Sequence, residues 1–246
     1  MEYISSRKNN YIKHLRALAA SNAYRCEAGE YVCGGMRLLR EALAAGAQVT
    51  GVLWSGEPEL EIPGVEARSC PGELLEYASA LASPQSPIFT VRIPETELPE
   101  SCARAIILDG VQNPGNVGTI IRTAAALSFG PVILAPGCAD KYNPKTVHGA
   151  MGALFRHRVL DFDLDGISDF LKKYSLRVFG ADLAPGGLDV RELPRNAAIA
   201  IGAEGSGLGS EIRAILDGAF KIPIAPEVES LNAAVAAAVA MWEMTR

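Results

Sequence analysis

Between Ala197 and Trp242 the chain joins two short apolar runs, Ala198–Ile201 and Phe220–Ile224, to two helix-like segments with almost no spacer. Runs of that length, bounded by turn residues, read as strands covered on both faces, as in a parallel sheet. Gly202, Gly205, Gly207 and Gly209 follow the first run. Glycines this dense permit positive φ and close backbone approach, so the loop suits a ligand held by main-chain groups. A plain strand-to-helix turn has the same composition, and both readings stay open at this point.

The same alternation runs through the whole chain. Lys8–Ala20 carries Ile12, Leu15 and Leu18 at helical spacing with Lys13, His14 and Arg16 between them, an amphipathic helix with a basic face. Next come a strand at Tyr31–Cys33, a helix at Met36–Ala45 ended by Gly46, a strand at Val49–Trp54, a helix at Pro71–Ala82 and a strand at Ile88–Arg92. Ile93–Cys102 has two prolines, three glutamates and no periodicity, which marks a domain boundary. A second series follows: strands at Ala105–Leu108, Val132–Ala135, Val159–Phe162 and Arg177–Ala181, with helices at Asn116–Leu127, Lys145–Phe155 and Ile167–Tyr174. A glycine-proline turn then leads back to the opening stretch. Such alternation predicts an α/β fold with a mostly parallel sheet, divided into residues 1–96 and 97–246.

Composition narrows the partners. With 49 % hydrophobic residues there is ample material for a core. The longest nearly apolar run, Ala233–Trp242, falls far short of the roughly 20 residues that span a bilayer, and no basic–apolar–small leader pattern opens the chain. A cytoplasmic protein without membrane partners is expected. The five cysteines, Cys26, Cys33, Cys70, Cys102 and Cys138, are scattered and odd in number, which argues for reduced thiols and against a disulfide framework or metal site. His14, His148 and His157 lack metal-ligand spacing and read as surface or loop residues. A net charge of −5 argues against gripping nucleic acid with the whole surface. Arg7, Lys8, Lys13, Arg16 and Arg25 nevertheless face only Glu2 in the first 25 residues, a local excess suited to phosphates or to a solvated helix face.

Three places carry candidate chemistry. In Asp109–Arg122, DGVQNPGNVGTIIR, Asn116 reads as a helix N-cap, and Arg122 leans back toward the loop. A guanidinium beside free helix-start N–H groups is a phosphate site, and pairing with Asp109 is the structural alternative. In the glycine loop, Glu204 serves as a brace or as an acid–base group. The loop departs from a dinucleotide fingerprint because Ser210 stands where a third glycine or alanine is needed. In Pro226–Ala233, PEVESLNA, Ser230 reads as the N-cap of the last helix and Asn232 as a first-turn residue. The alanines that follow suit either a subunit interface or core packing. Lys145, after an Asn-Pro step, reads as solvated.

Taken in order, NPGNVGTIIR, IGAEGSGL and IPIAPEVESLNAAVA resemble the three motifs of the SpoU (TrmH-type) RNA ribose 2'-O-methyltransferases. ISSRKNNYIKHLRAL and GGMRLLREALAAG are similar to the small substrate-binding domain preceding the catalytic domain in many members. The resemblance implies an α/β-knot methyltransferase domain with a trefoil knot, S-adenosylmethionine as cofactor, an RNA substrate, no metal, and a homodimer whose site is shared across the interface. By position it implies Asn116, Arg122, Glu204, Ser230 and Asn232 as the catalytic set. Gly202, Ala203, Gly205, Ile222 and Leu231 become the cofactor contacts.

Arg122 is the residue that activates the ribose hydroxyl by this resemblance. A guanidinium keeps its proton, so holding phosphate and stabilising the alkoxide is the chemically favoured form of that role. Gly34, His148 and Ala150 depart from the residues usual in the family and bear on target choice. Ribosomal RNA is the expected substrate, with transfer RNA second. An RNA-binding module without turnover and a nucleotide-dependent oxidoreductase are the competing readings.

Overall fold

The computed structural model describes residues 2–79, 81, 84–182 and 186–246. They form two compact units, Met1–Glu95 with Tyr142–Phe155, and Thr96–Lys141 with Arg156–Arg246. In chain order the elements are β1 (Glu2–Tyr3), α1 (Asn10–Ala20), α2 (Asn22–Ala28), β2 (Glu30–Gly34), α3 (Met36–Ala44), β3 (Val49–Ser55), β4 (Ala67–Cys70), α4 (Gly72–Ala78) and β5 (Ile88–Arg92). There follow β6 (Ala105–Asp109), α5 (Pro114–Ala126), β7 (Val132–Leu134), α6 (Pro144–Ala150), β8 (Val159–Asp161), α7 (Leu164–Lys173) and β9 (Arg177–Ala181). The last are β10 (Leu188–Asp189), β11 (Ala197–Gly202), α8 (Ser210–Ala214), β12 (Gly218–Lys221) and α9 (Ala233–Thr245).

The first unit is a mixed five-stranded sheet in the order β1-β4-β3-β5-β2. Ile12, Leu15 and Leu18 of α1 are fully buried, together with Leu53 and Leu74, so the apolar stripe of that helix is the face that meets the core. Two elements here give little sequence signal. Helix α2 has no apolar stripe; the Ser21 side chain caps it, Gly29 at φ 64° ends it, and buried Arg25 ties it to the Leu18 carbonyl. Strand β4 is half polar, with Arg68 half-buried and Ser69 buried beside Cys70.

The second unit is a seven-stranded sheet in the order β10-β12-β9-β11-β6-β7-β8, and every pairing is parallel. Alternate residues feed its two faces. Ala105, Ile107, Ala198 and Ala200 meet Ile167, Phe170 and Ile212 on one side. Helix α9 packs on α5 and β11. Its Ala233, Ala234, Ala237 and Ala240 are buried within the unit, which assigns those four to the core.

Several boundaries differ from the sequence reading. The strand expected at Phe220–Ile224 is Gly218–Lys221, since Pro223 has no N–H to donate to a ladder. The helix expected over Lys145–Phe155 stops at Ala150, where Met151 (φ 48°) and Gly152 (φ 90°) turn left-handed; Ala153–Phe155 is a separate 3-10 turn. The expected end of the Pro71 helix at Ala80 and Ala82 lies outside the described residues, as does Pro185 of the glycine-proline turn. Both cap assignments shift. Asn113, not Asn116, caps α5, because Pro114 at the first position has its φ preset and needs no hydrogen bond. Asn232, not Ser230, caps α9 and accepts from Ala234 N at 3.0 Å and Val235 N at 3.3 Å.

Candidate functional site

In a parallel sheet a ligand crevice forms outside the carboxyl ends of the strands, where the chain order reverses. Here the order reverses between β6 and β11: from β6 the chain builds outward through β7 and β8, then returns to lay down β9 and β11 on the other side. The loop after β6 starts α5, and the loop after β11 is the glycine loop.

That loop closes on itself. Ala203 N donates to Gly207 O at 3.1 Å, and Gly207 N to Ala203 O at 2.8 Å. A Cβ on Gly202 would lie 2.2 Å from the Gly207 carbonyl carbon, so only glycine fits there. Gly207 has φ +65°, while a Cβ on Gly205 would meet nothing within 4 Å. The loop's far end is pinned by Gly209 N donating to Asp109 Oδ2 at 2.6 Å. Asp109 is thus a loop anchor, and among the described residues no carboxylate forms an ion pair with Arg122.

Glu204 gathers three separate stretches of sequence on one oxygen. Its Oε1 accepts from Asn116 Nδ2 at 2.7 Å, from Asn232 Nδ2 at 2.5 Å and, more weakly, from Ala233 N at 3.4 Å. Asn232 Nδ2 also reaches Asn116 Oδ1 at 3.2 Å. An anion at this point complements the amide dipoles at the start of α9. The structure therefore makes Glu204 the clamp between the α5 start, the glycine loop and the α9 start.

Beside the clamp is a cleft of about 410 Å³. It is lined by Gly202, Ala203, Gly205, Ile222 and Leu231, and also by Glu204 and Ser230. Asn116 and Asn232 meet at Glu204 without lining the cleft. Arg122 is exposed on the third turn of α5, and among the described residues it neither lines the cleft nor bonds to the clamp.

Polar residues that the sequence reading passed over line the cleft as well: Asp182, Arg213, Lys221 and Glu229. Arg213 pairs with Asp182 and donates Nε to Leu208 O at 2.9 Å, fixing the far wall. Asp182 and Lys221 follow or end buried strands, and the first polar residue after such a run was the available signal. Cys138, near the end of β6, is no nucleophile: burial pushes its thiol up to about 11, and Sγ donates to Leu108 O at 3.1 Å.

Elsewhere, His14 is held between Tyr24 OH and Glu30 Oε2, each at 3.0 Å, and His157 is a half-buried residue of the loop before β8. Lys145 is exposed, its backbone N–H capped by Asn143. Gly34 and His148 line one small crevice of the first unit, and Ala150 is buried. Among the described residues no three His, Cys, Asp or Glu side chains gather as a metal site.

Residues 103–242 match the model of the SpoU rRNA Methylase family. The chain belongs to that family. It is 29 % identical to the 23S rRNA (guanosine(2553)-2'-O)-methyltransferase RlmP of Bacillus subtilis (strain 168), over 99 % of both chains. It is 30 % identical to the mitochondrial rRNA methyltransferase 3A of Danio rerio, over 97 % of this chain and 68 % of that one. The crystal structure of the SpoU methyltransferase AviRb from Streptomyces viridochromogenes, in complex with the cofactor AdoMet, superimposes with a TM-score of 0.88. That alignment covers 97 % of each chain at 27 % identity.

Proposed function

We infer that this member of the SpoU family is an S-adenosylmethionine-dependent RNA methyltransferase that acts on a ribose 2'-hydroxyl of ribosomal RNA. The observation that carries the inference is the single carboxylate, Glu204 of the second motif segment, bonding to the first and third beside a cleft of about 410 Å³. A cleft of that volume is within the range of small-molecule sites, roughly 300–1,000 Å³. Its composition fits the cofactor: Ile201, Ile222 and Leu231 give apolar walls for an adenine, the glycine loop gives main-chain polar groups, and Asp182 and Glu229 give carboxylates for hydroxyl or ammonium groups. When bound, the cofactor supplies a methyl group on a sulfonium, which leaves as a neutral thioether.

The chain's own part is positioning. Holding a nucleophile and an electrophile in line contributes roughly 7–11 kcal/mol, against about 10²–10⁴-fold for a general base. We assign Glu204, Asn116 and Asn232 to holding the glycine loop and both helix starts, with Ser230 at the cleft edge. Arg122 binds the target phosphate and stabilises the alkoxide as the hydroxyl proton passes to solvent water and the oxygen takes the methyl group. Its exposure suits a group that meets RNA. Arg122→Ala is expected to abolish transfer of a tritiated methyl group to RNA while cofactor binding stays measurable; an active variant would remove Arg122 from the chemistry.

The first unit is assigned to RNA selection, supported by Arg7 and Arg16, whose guanidiniums sit 4.4 and 4.1 Å from the Tyr77 ring centroid. Transfer RNA is the second-ranked candidate substrate. A homodimer with a shared site is supported by Arg122 standing outside the cleft lining and by exposed Val235 and Trp242, 48 % and 56 % accessible and two turns apart on α9. A trefoil threading of the C-terminal segment is supported by Ile222 and Leu231 lining the cleft together with the glycine loop. A crystal structure whose backbone traces without that crossing would contradict the knot. With ribosomal RNA as substrate, the enzyme works in the cytoplasm. The alternative, an RNA-binding module without turnover, fits poorly with an intact Glu204 clamp; cofactor binding without transfer to any RNA would favour it.

A further inference from the structure

The second unit has another concave site, at the opposite end of its sheet. Strands β6, β7 and β8 are parallel neighbours, so Ala105, Val132 and Val159 begin on one edge while the cleft stands at the strand ends. The segments leading into these three strands line a cavity of about 340 Å³. Arg104, Arg156, His157 and Arg158 line it, and among the described residues no acidic side chain does. In a chain of net charge −5 this grouping is against the average, and the walls of a concavity concentrate its field.

Its cations differ in their commitments. Arg104 donates Nη1 to Met244 O at 3.0 Å and lies 5.5 Å from the Phe129 ring centroid, which fixes the guanidinium and leaves other N–H donors for a ligand. Arg158 is exposed, and neither it nor Arg104 forms an ion pair among the described residues. Arg156 has other interactions and serves here only as part of the wall. The Nε2 of His157 is buried and has no hydrogen-bond partner among the described residues. Ser128 adds a hydroxyl to the lining. Gly130 lets two segments close up, since a Cβ there would stand 1.8 Å from Arg104 O.

We propose that this cavity is a phosphate-binding site, distinct from the cofactor cleft. Arginine donors arranged around a concavity suit an anion with several ionised oxygens, each able to accept a charge-assisted hydrogen bond. The phosphate is carried either by the RNA backbone away from the methylated nucleotide or by a free phosphoester. The proposal does not depend on the methyltransferase reading.

The test uses the full chain, with Arg158→Gln as the main variant and Arg104→Gln as the second. Sodium pyrophosphate is titrated calorimetrically, RNA binding is followed against salt, and S-adenosylmethionine titration of each variant reports separately on the cleft and on folding. Expected is pyrophosphate binding by the native chain that weakens at least about tenfold in Arg158→Gln, as for loss of one charge-assisted hydrogen bond. If RNA is the carrier, the slope of log affinity against log salt also becomes shallower by about 0.7–0.9. If a free phosphoester is the carrier, RNA binding stays unchanged. Pyrophosphate binding that is absent, or equal in the native chain and both variants, with RNA affinity also unaltered, overturns the proposal.

Discussion

Replacing Gly202 by alanine tests the glycine loop most sharply. A Cβ at that position would lie 2.2 Å from the Gly207 carbonyl carbon, 2.3 Å from its oxygen and 2.4 Å from Leu208 N. All three are backbone atoms, so no side chain can swing aside and the loop itself must retreat by about 1.3–1.8 Å to reach van der Waals contact. That movement breaks the pair of hydrogen bonds between Ala203 and Gly207, 3.1 and 2.8 Å long. Two such bonds are worth about 1 kcal/mol each, and forced overpacking adds about 1–3 kcal/mol.

The closed loop is therefore disfavoured by about 3–5 kcal/mol, which corresponds to an S-adenosylmethionine Kd raised by about 10²–10⁴. Calorimetry of cofactor binding reads this directly. The urea midpoint of Gly205→Ala, whose Cβ meets nothing within 4 Å, serves as the control and is expected to match the native protein. If Gly202→Ala binds the cofactor within about threefold of the native protein, the loop does not form the cradle and the reasoning fails.

Two other substitutions probe separate parts of the account. Glu204→Ala removes the acceptor shared by Asn116 and Asn232; both bonds are solvent-exposed, so the loss of stability is small, about 1–2 kcal/mol, while kcat is expected to fall by more than tenfold. Unchanged turnover on an RNA substrate would show that the clamp is incidental. Trp242→Glu places a charge on the exposed face of α9 and is expected to weaken the proposed self-association about 100-fold or more; sedimentation equilibrium that gives the same species for both chains would contradict the proposed dimer face.

The parallel sheet was legible because its strands are short and apolar on both faces, and because each is followed by a helix or a tight turn. What escaped were elements held by single contacts rather than by pattern. Helix α2 depends on Ser21, Gly29 and one buried arginine, and β1 and β10 have two residues each. Residue type alone does not separate Asn113 from Asn116 or Ser230 from Asn232 as caps, since Asn and Ser cap almost equally well; Pro114 at the first helical position marks the true start of α5. The polar set Asn116, Glu204 and Asn232 was named from motif order, but its shared oxygen was not readable, since 88 residues separate Asn116 from Glu204 in the chain. Local sequence had no means of showing Arg213 and Asp182 as a pair, because their contact is set by the packing of α8 against the end of β9.

The most direct test of the central claim follows the methyl group itself. Unmodified ribosomal RNA is incubated with the native enzyme and tritiated S-adenosylmethionine, then hydrolysed in alkali. A 2'-O-methyl blocks cleavage of the adjacent phosphodiester, so ribose methylation is expected to leave the label in an alkali-resistant dinucleotide at a single site. Label released with mononucleotides, as from a methylated base, would contradict the account.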